Sequence, residues 1–375
     1  MSIISKIGNF SYRLNRVLFI IYNKNVFMLR GEFPVIKKLA TVAIWFLGCV
    51  GAVCVSLSVK DTMRSLATKK GLETGVAVAV NDLGKDSHKN IILENSSIIV
   101  AENCMKWQNI HPRENTWNWK DTDRLVEFAE ENGISVKFHT LFWHNQNSSF
   151  LSERWNRDKA LSVMDNHIST IMERYKGRIK EYDVVNEAFE DNGSLRNTIW
   201  LKTVGEDYIE HAFTKAHECD PGAKLFLNDY SNETMGQAKA DAMFNFVKKL
   251  KEKGVPIDGV GFQLHIDTAY GFDADKIRKN VKRYADLGLL VSFSEVDVRI
   301  PQRNYENHLA KQQKIYCELL KIAVEEPNVI NFITWGFTDS QSWVPYTFPG
   351  KGHALPYDEN LQPKPLYAEM LKVLK

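Results

Sequence analysis

The chain has 375 residues, of which 44% are hydrophobic and 25% are charged, and its net charge is only +2. This composition is typical of a globular protein, and the near balance of charges gives no indication of nucleic-acid binding. The length suffices for one large domain with an extension, and no internal repeat or low-complexity linker indicates a separate binding module.

The first part of the chain differs from the rest in charge and hydropathy. Residues 1–38 contain seven lysines and arginines but one acidic residue, Glu32. Residues 39–59 (LATVAIWFLGCVGAVCVSLSV) then carry no charge over about 21 positions, a length that can cross a bilayer. Because positive charge precedes the apolar run, the bulk of the chain is predicted to lie outside the cytoplasm, in the cell envelope or secreted.

Three forms of export remain open for this apolar run. It can be an uncleaved signal anchor in the membrane, a cleaved signal peptide with translation beginning at Met28, or a lipoprotein signal ending at Cys49. Phe46 and Leu47 before the cysteine fit a lipoprotein signal poorly. We therefore divide the chain into a basic segment (1–38), a signal or anchor segment (39–59) and a folded domain (60–375).

Three cysteines lie outside the apolar run: Cys104, Cys219 and Cys317. Their spacing is that of neither a disulfide framework nor a zinc site, so we expect small buried residues. We also expect a monomer that needs no metal and no cofactor.

From residue 60 onward, short apolar runs typical of buried strands alternate with amphipathic runs typical of helices. The predicted strands are 75–80, 98–101, 136–140, 182–185, 225–227, 260–263, 291–294 and 332–334, and the predicted helices include 122–132, 158–175, 208–219, 238–253, 276–287 and 305–325. Eight strands alternating with helices over roughly 300 residues predict a TIM (β/α)8 barrel. An open, doubly wound sheet is the alternative, but no glycine-rich phosphate loop follows any strand.

Polar and aromatic residues follow the predicted strands, at the ends that meet at one mouth of a barrel. They are Glu102, Asn103 and Lys106 after the second strand, His139, Trp143 and His144 after the third, Asn186 and Glu187 after the fourth, Asn228, Asp229 and Tyr230 after the fifth, Gln263 and His265 after the sixth, Glu295 and Asp297 after the seventh, and Trp335, Asp339 and Trp343 after the eighth. Packing can explain any one of them, but together they indicate an active site.

Two glutamates end strands that are far apart in the sequence, Glu187 after the fourth and Glu295 after the seventh. A pair of carboxylates on opposite sides of one bond is used for glycoside hydrolysis. The neighbouring residue types suit a sugar, because indole rings stack on its apolar face and polar side chains bond its hydroxyls. A metal site at His139, His144 and His265 is the alternative, but these histidines lack the spacing of a ligand cluster.

Six runs of the sequence resemble glycoside hydrolase family 10, the endo-β-1,4-xylanases. They are 101–107 (AENCMKW), 139–144 (HTLFWH), 184–188 (VVNEA), 261–265 (GFQLH), 294–298 (SEVDV) and 335–343 (WGFTDSQSW), and they occur in the order of the family. The similarity covers about residues 72–375. It implies a TIM barrel and an enzyme that hydrolyses internal β-1,4-xylosidic bonds of xylan with retention of configuration.

The resemblance also implies a role for each matching residue. Glu187 would be the acid/base and Glu295 the nucleophile, with Asp297 behind His265 and Glu295. The implied substrate-binding residues are Glu102, Asn103 and Lys106 on the glycone side, His139 and Asn186 at the cleavage site, Gln263, His265, Trp335 and Trp343 around the pocket, and Tyr230 toward the leaving group. Trp143 is predicted to bind substrate as well, because its indole can stack on a sugar. Retention predicts that the two carboxyl groups stand roughly 5–5.5 Å apart.

Two departures from the family pattern concern the expected cleft. Phe138 stands where the family commonly has glycine, and residues 145–151 (NQNSSFL) lack its usual proline and tryptophan. We expect both changes to border the sugar cleft. A β-glucanase or cellobiohydrolase on the same barrel is one alternative function. A non-catalytic surface glycan-binding protein is another, but it predicts a missing carboxylate, and both are present.

Overall fold

The computed structural model describes residues 61–375, and within them eight parallel strands close into a barrel. The barrel strands are β1 (Glu73–Val78), β2 (Ile98–Ala101), β3 (Ser135–Phe142), β4 (Glu181–Asn186), β5 (Lys224–Asp229), β6 (Gly259–Phe262), β8 (Leu290–Pro301) and β9 (Val329–Thr334). Each pairs with the next, and β9 pairs with β1 to close the ring. The short strands β7 (His265–Asp267) and β10 (Lys351–Gly352) pair with the outer part of β8, above the barrel.

Helices follow most of the strands and cover the outside of the barrel. They are α1 (Met63–Lys69), α2 (Asp86–Asn95), α3 (Trp107–Ile110), α4 (Lys120–Glu131), α5 (Arg157–Tyr175), α6 (Ile199–Thr203), α7 (Tyr208–Cys219), α8 (Ala238–Glu252), α9 (Ala274–Ala285), α10 (Glu306–Glu325), α11 (Val344–Thr347) and α12 (Pro365–Leu374). On α9, Ile277, Val281 and Tyr284 are buried at helical spacing, which places one apolar face against the barrel. Before α5, Asn156 Oδ1 accepts from Lys159 N and so caps the first turn.

The inside of the barrel below the mouth is polar and buried. Lys137 Nζ on β3 lies 2.9 Å from Asp183 Oδ1 on β4, and it stands 4.1 Å from the centroid of the Phe226 ring. Glu181 Oε2 accepts from Asn331 Nδ2 at 2.9 Å. Buried charges are tolerated only when they are paired and hydrogen-bonded, so these contacts hold the inner side chains in one arrangement.

The predicted barrel is confirmed, and the open sheet is excluded because β9 pairs with β1. Predicted and observed strands agree to within three residues at each end, except that β8 runs on to Pro301. The predicted segments 1–38 and 39–59 lie outside the described residues. No helix within residues 61–375 is long and apolar enough to span a bilayer. Cys104, Cys219 and Cys317 are free thiols and are only partly buried.

Candidate active site

All the residues predicted to bind or cleave a substrate line one cleft at the carboxyl ends of the strands. The cleft has a volume of about 580 Å³. Its lining includes Glu187 and Glu295 and the eleven predicted binding residues, Glu102, Asn103, Lys106, His139, Trp143, Asn186, Tyr230, Gln263, His265, Trp335 and Trp343. Asp297 lies beneath this lining and is fully buried. The structure therefore brings the predicted residues together, while their individual roles stay predictions.

Glu295 lies within β8, at the point where the pairing of this strand with β9 changes register. The shift falls between Phe293 and Val296, so β8 contains one extra residue there. Such an irregularity re-aims side chains, and the consecutive residues Ser294 and Glu295 both face the barrel axis. Ser294 Oγ donates to Asn228 Oδ1 at 2.6 Å, and Asn228 Nδ2 donates to Glu295 Oε1 at 2.7 Å.

Glu295 is buried among groups that favour its charged form. His265 Nε2 lies 3.3 Å from Oε2, and His139 Nδ1 lies 3.8 Å from Oε1. Burial alone would raise the pKa of this carboxyl, but the charge of His139 and the hydrogen bonds from His265 and Asn228 outweigh it. The pKa of Glu295 therefore lies below its ordinary value, and the side chain is ionised at neutral pH.

His265 is held as a cation between two carboxylates. Its Nδ1 lies 2.8 Å from Asp297 Oδ2, and its Nε2 faces Glu295. Burial lowers the pKa of His265, but the charge of Asp297 and hydrogen bonds to both carboxylates raise it to about 10. Trp343 Nε1 donates to the same oxygen of Asp297 at 2.8 Å. Asp297 thus orients both an imidazole and an indole of the cleft.

Glu187 stands on the turn after β4, with its backbone in the left-handed region at φ 54°. This conformation is strained for a residue that has a Cβ, so it needs support from its surroundings. Glu187 N donates to Asn228 O at 2.8 Å, and Arg196 Nε donates to Glu187 O at 3.0 Å. The turn directs the carboxyl into the cleft, where His144 Nδ1 lies 3.5 Å from Oε2.

A chain of amide side chains connects the two glutamates. It runs from Glu187 Oε1 through Gln263 Nε2 (3.2 Å), Asn186 Oδ1 (3.1 Å) and Asn228 Nδ2 (2.8 Å) to Glu295 Oε1 (2.7 Å). If the Asn186 amide were turned by 180°, its oxygen would accept from Trp143 Nε1 at 3.2 Å. The NH2 group of Asn186 would then face Asn228 Nδ2, which must be a donor because it bonds the Glu295 carboxylate. Two donors would thus face each other. The orientation with Asn186 Oδ1 as acceptor is therefore favoured.

Glycine is required at position 261 because a neighbouring side chain passes against it. Gly261 on β6 pairs with Asn228 on β5. A Cβ added to Gly261 would lie 1.8 Å from Asn228 Oδ1, far inside the contact distance of two atoms. The missing side chain therefore leaves the space through which Asn228 reaches Glu295.

Lys106 is a buried cation on the wall formed by the loops after β2 and β3. Its Nζ lies 4.8 Å from the ring centroid of Trp143, 5.7 Å from that of Trp335, and 3.4 Å from Asn103 Oδ1. Burial lowers the pKa of Lys106, and the carboxylates of the cleft oppose that shift. Burial likewise raises the pKa of Glu102, against the charge of Lys106. This wall offers indole faces for stacking and charged groups for sugar hydroxyls.

Tyr230 follows β5 and contacts two cations. Arg196 Nη2 donates to its hydroxyl at 3.0 Å, and Lys239 Nζ lies 3.3 Å from its ring centroid. Lys239 is also paired with the buried Asp229, with 2.7 Å between Nζ and Oδ1. Because Arg196 binds the backbone of Glu187 as well, one guanidinium supports both Tyr230 and the turn that carries the acid/base candidate.

Several residues of the cleft have no role in the reaction that the sequence predicts. They are His144 and Asn228, which contact the two glutamates, and Asn145, Ser231, Arg299, Thr347 and Phe348, which line the cleft. His144 and Asn228 follow predicted strands, so their place at the mouth was a usable signal. The others lie on loops, at the end of α11 or on the outer part of β8, where the sequence offers no comparable signal.

Only one of the two departures from the family pattern reaches the cleft. Asn145, in the divergent run, lines it. Phe138 is fully buried and stacks on Tyr182, with 5.4 Å between the ring centroids. Side chains alternate along β3, so Phe138 points away from the face that carries His139. The expectation that Phe138 borders the cleft is therefore wrong.

Comparison with known proteins gives the same family as the motifs. The sequence model of glycosyl hydrolase family 10 matches residues 62–373. Endo-1,4-beta-xylanase B of Thermotoga neapolitana is 38% identical over 345 residues, which are 90% of this chain and 98% of that protein. Two solved structures, native xylanase 10B of Thermotoga maritima and xylanase 10B of Thermotoga petrophila RKU-1 in complex with xylobiose, each match with a TM-score of 0.81 and 43% identity over 84% of this chain and 98% and 97% of theirs. The chain therefore belongs to glycosyl hydrolase family 10.

Proposed function

We propose that this protein is a retaining endo-β-1,4-xylanase in which Glu295 is the nucleophile and Glu187 the acid/base. The observation that carries the proposal is the placement of both glutamates in one cleft and on one hydrogen-bond network, with Glu295 beside His265. The relatives support xylan as the substrate, because they are named as xylanases and one of them is bound to xylobiose.

In the first step, Glu295 attacks the anomeric carbon while Glu187 gives its proton to the leaving oxygen. The bond from the sugar to that oxygen breaks as the bond to the Glu295 oxygen forms, which gives a glycosyl ester and a free alcohol. His265 and Asn228 hold the attacking carboxylate in position through their hydrogen bonds.

In the second step, water attacks the anomeric carbon from the face that the leaving group vacated. Glu187, ionised by the first step, accepts a proton from this water, and the ester bond breaks to release Glu295 as a carboxylate. Two inversions restore the β-configuration. Asn186 bonds the sugar 2-hydroxyl, a contact that strengthens in the transition state. Its contacts with Gln263 and Asn228 support this role, because they hold the amide in one orientation.

Initial rates on linear xylan and on carboxymethyl-cellulose test the substrate. We expect the rate on xylan to be higher by orders of magnitude, and comparable rates would favour the β-glucanase alternative. Binding of xylo-oligosaccharides without hydrolysis would favour the non-catalytic alternative. The anomer that forms first, identified by NMR, tests the mechanism, because an α-product from the β-linked substrate means inversion and removes Glu295 as the nucleophile.

We also propose that the enzyme works outside the cytoplasm. The support is the basic segment 1–38 followed by the uncharged segment 39–59. Fractionation of cells that express the full chain tests this. Activity confined to the soluble cytoplasm would contradict export. A membrane-bound protein with an N-terminus near residue 1 would indicate an anchor, and a shorter mature chain would indicate cleavage.

A further inference from the structure

Arg299 is a residue of the cleft that neither the proposed reaction nor the family motifs use. It lies on β8, and 13% of its side chain is exposed. Its Nε donates to Asp267 Oδ2 at 3.1 Å, and its Nη1 donates to His265 O at 3.2 Å. The guanidinium stands 4.0 Å from the ring centroid of Phe348. These contacts fix the plane of the guanidinium, while its Nη2 makes no hydrogen bond to any residue within 61–375.

The surroundings of Arg299 carry more positive than negative charge. Lys351 Nζ lies 3.1 Å from the same carboxylate of Asp267. Lys311 Nζ donates to two backbone carbonyls of the segment 268–270, at 2.5 and 2.6 Å. One carboxylate is thus shared by two cations, with a third cation close by. The excess of positive charge around Arg299 would attract an anion that enters this part of the cleft.

The other cations of the cleft, Lys106 and His265, interact with the carboxylates of the catalytic pair. Lys106 lies in the field of Glu295 and Glu102, and His265 is bonded to Glu295. Among the cleft-lining cations in the described part of the chain, Arg299 therefore stands apart. Its charge is not directed at the catalytic pair, and its Nη2 has no hydrogen-bond partner within residues 61–375.

Arg299 stands above the floor of the cleft. It lies four residues beyond Glu295 on the same strand, which is about 13 Å at about 3.3 Å per residue. If the main chain of a glycan has its anomeric carbon at Glu295, a group that reaches Arg299 on the outer part of β8 is a side group of that chain. A fixed guanidinium with a free Nη2 binds a carboxylate more strongly than it binds a neutral hydroxyl, because the carboxylate adds the attraction of opposite charges.

We propose that Arg299 binds the carboxylate of a uronic-acid side group on the xylan chain. Lys351 and Lys311 add to the positive potential at this position. The inference rests on the proposed xylanase function and names its substrate class, a xylan with acidic substituents. A neutral side group can accept a hydrogen bond from Arg299 but forms no ion pair with it, so the enzyme favours the acidic polymer over a neutral one of the same shape.

The test compares one polymer with and without its carboxylates. The kcat/KM on a glucuronoxylan is measured beside that on the same polymer after its uronic acids are reduced to neutral sugars, with linear xylan as the reference. The full-length wild type is compared with Arg299→Met and Arg299→Lys. The methionine keeps an apolar stem against Phe348 and removes the charge, whereas the lysine keeps the charge and removes the planar fork.

We expect the wild type to prefer the acidic polymer by about tenfold, the factor that one charge-assisted hydrogen bond supplies. Arg299→Met should lose the preference, and Arg299→Lys should keep part of it. For the wild type, about 0.5 M salt should reduce the preference, because salt screens charges at partly exposed sites.

Equal kcat/KM of the wild type on the acidic and the reduced polymer overturns the proposal, and this result needs no variant to fold. A preference that Arg299→Met retains in full, with an unchanged thermal unfolding transition, overturns it as well. Linear xylan separates this proposal from the previous one. An enzyme that cleaves linear xylan but ignores the carboxylate refutes only the role of Arg299, whereas one that is inactive on linear xylan refutes the xylanase assignment.

Discussion

Replacing Asp297 by asparagine tests whether His265 works as a cation. The new amide oxygen can still accept from His265 Nδ1 and Trp343 Nε1, both of which lie 2.8 Å from Asp297 Oδ2. The variant therefore keeps the shape and removes one charge. Two unit charges about 4 Å apart attract by about 4 kcal/mol at an effective dielectric constant of about 20, which equals about three pKa units. We expect the pKa of His265 to fall from about 10 to about 7.

The consequence for catalysis follows from the tautomer of the neutral imidazole. With Nδ1–H still directed at position 297, loss of the other proton leaves a lone pair on Nε2, which faces Glu295 Oε2 at 3.3 Å. Two acceptors then oppose each other. We expect kcat/KM of Asp297→Asn to fall as the pH rises through about 7, whereas in the wild type this loss should come near pH 10. The assay uses an aryl β-xylobioside whose leaving group needs no proton, so that Glu187 does not limit the first step.

NMR titration of the His265 imidazole is the deciding measurement. The control is Asp267→Asn, which removes a buried carboxylate that contacts Arg299 and Lys351 instead. It should leave the pKa of His265 near 10. A pKa of His265 that stays above about 9 in Asp297→Asn would refute the electrostatic argument, because the lost attraction would then be far weaker than the distance implies.

Three more predictions follow from the same site. Glu295→Ala should abolish turnover of every glycoside, whereas Glu187→Ala should still form the glycosyl-enzyme from aryl glycosides. Azide should give an α-azide product with the first variant and a β-azide product with the second, as read by NMR. Gly261→Ala should lower kcat by about tenfold or more, because its Cβ displaces Asn228, whereas Gly271→Ala meets no atom within 4 Å and should not. Equal kcat values for the two glycine variants would contradict the role of Asn228. The free energy of unfolding should fall as the pH rises from 6.5 toward 10, because folding raises the pKa of His265 and the folded state then binds more protons. The loss, measured by denaturant titration, should reach up to about 5 kcal/mol at about 1.4 kcal/mol per pKa unit, and it should shrink in Asp297→Asn.

The barrel and the location of its site could be predicted because both follow from simple rules. Residues 98–101 are all apolar, residues 182–185 are β-branched or aromatic except for Asp183, and both runs form fully buried strands. A closed parallel barrel brings the carboxyl ends of all its strands to one rim. Polar residues directly after the strands, such as Glu187, therefore had to meet there. The prediction needed only the ends of the strands, and not the registers between them.

The orientations within the site could not be predicted, because they depend on registers and on tertiary contacts. Simple alternation along β8 would place Ser294 and Glu295 on opposite faces, yet the register shift turns both inward. Alternation did determine the direction of Phe138, which the departure from the family pattern had wrongly placed at the cleft. Arg299 carries no sequence signal of its own, because its position depends on the extension of β8 past the barrel and on its pairing with β7.

The surroundings of the two glutamates differ in the way that a double displacement requires. Glu295 faces His265, whose raised pKa keeps it charged, and it accepts a hydrogen bond from Asn228. Glu187 faces the amide of Gln263 and the imidazole of His144, whose pKa is lowered, chiefly by burial, so that it is neutral at pH 7. The amide chain that connects the two sites carries no charge. In the proposed mechanism, the residue that attacks as an anion thus lies beside a cation, and the residue that exchanges a proton lies beside neutral partners. The proposed difference in role therefore arises from neighbours on or directly after β3, β5, β6 and β7, and not from the two carboxylates themselves.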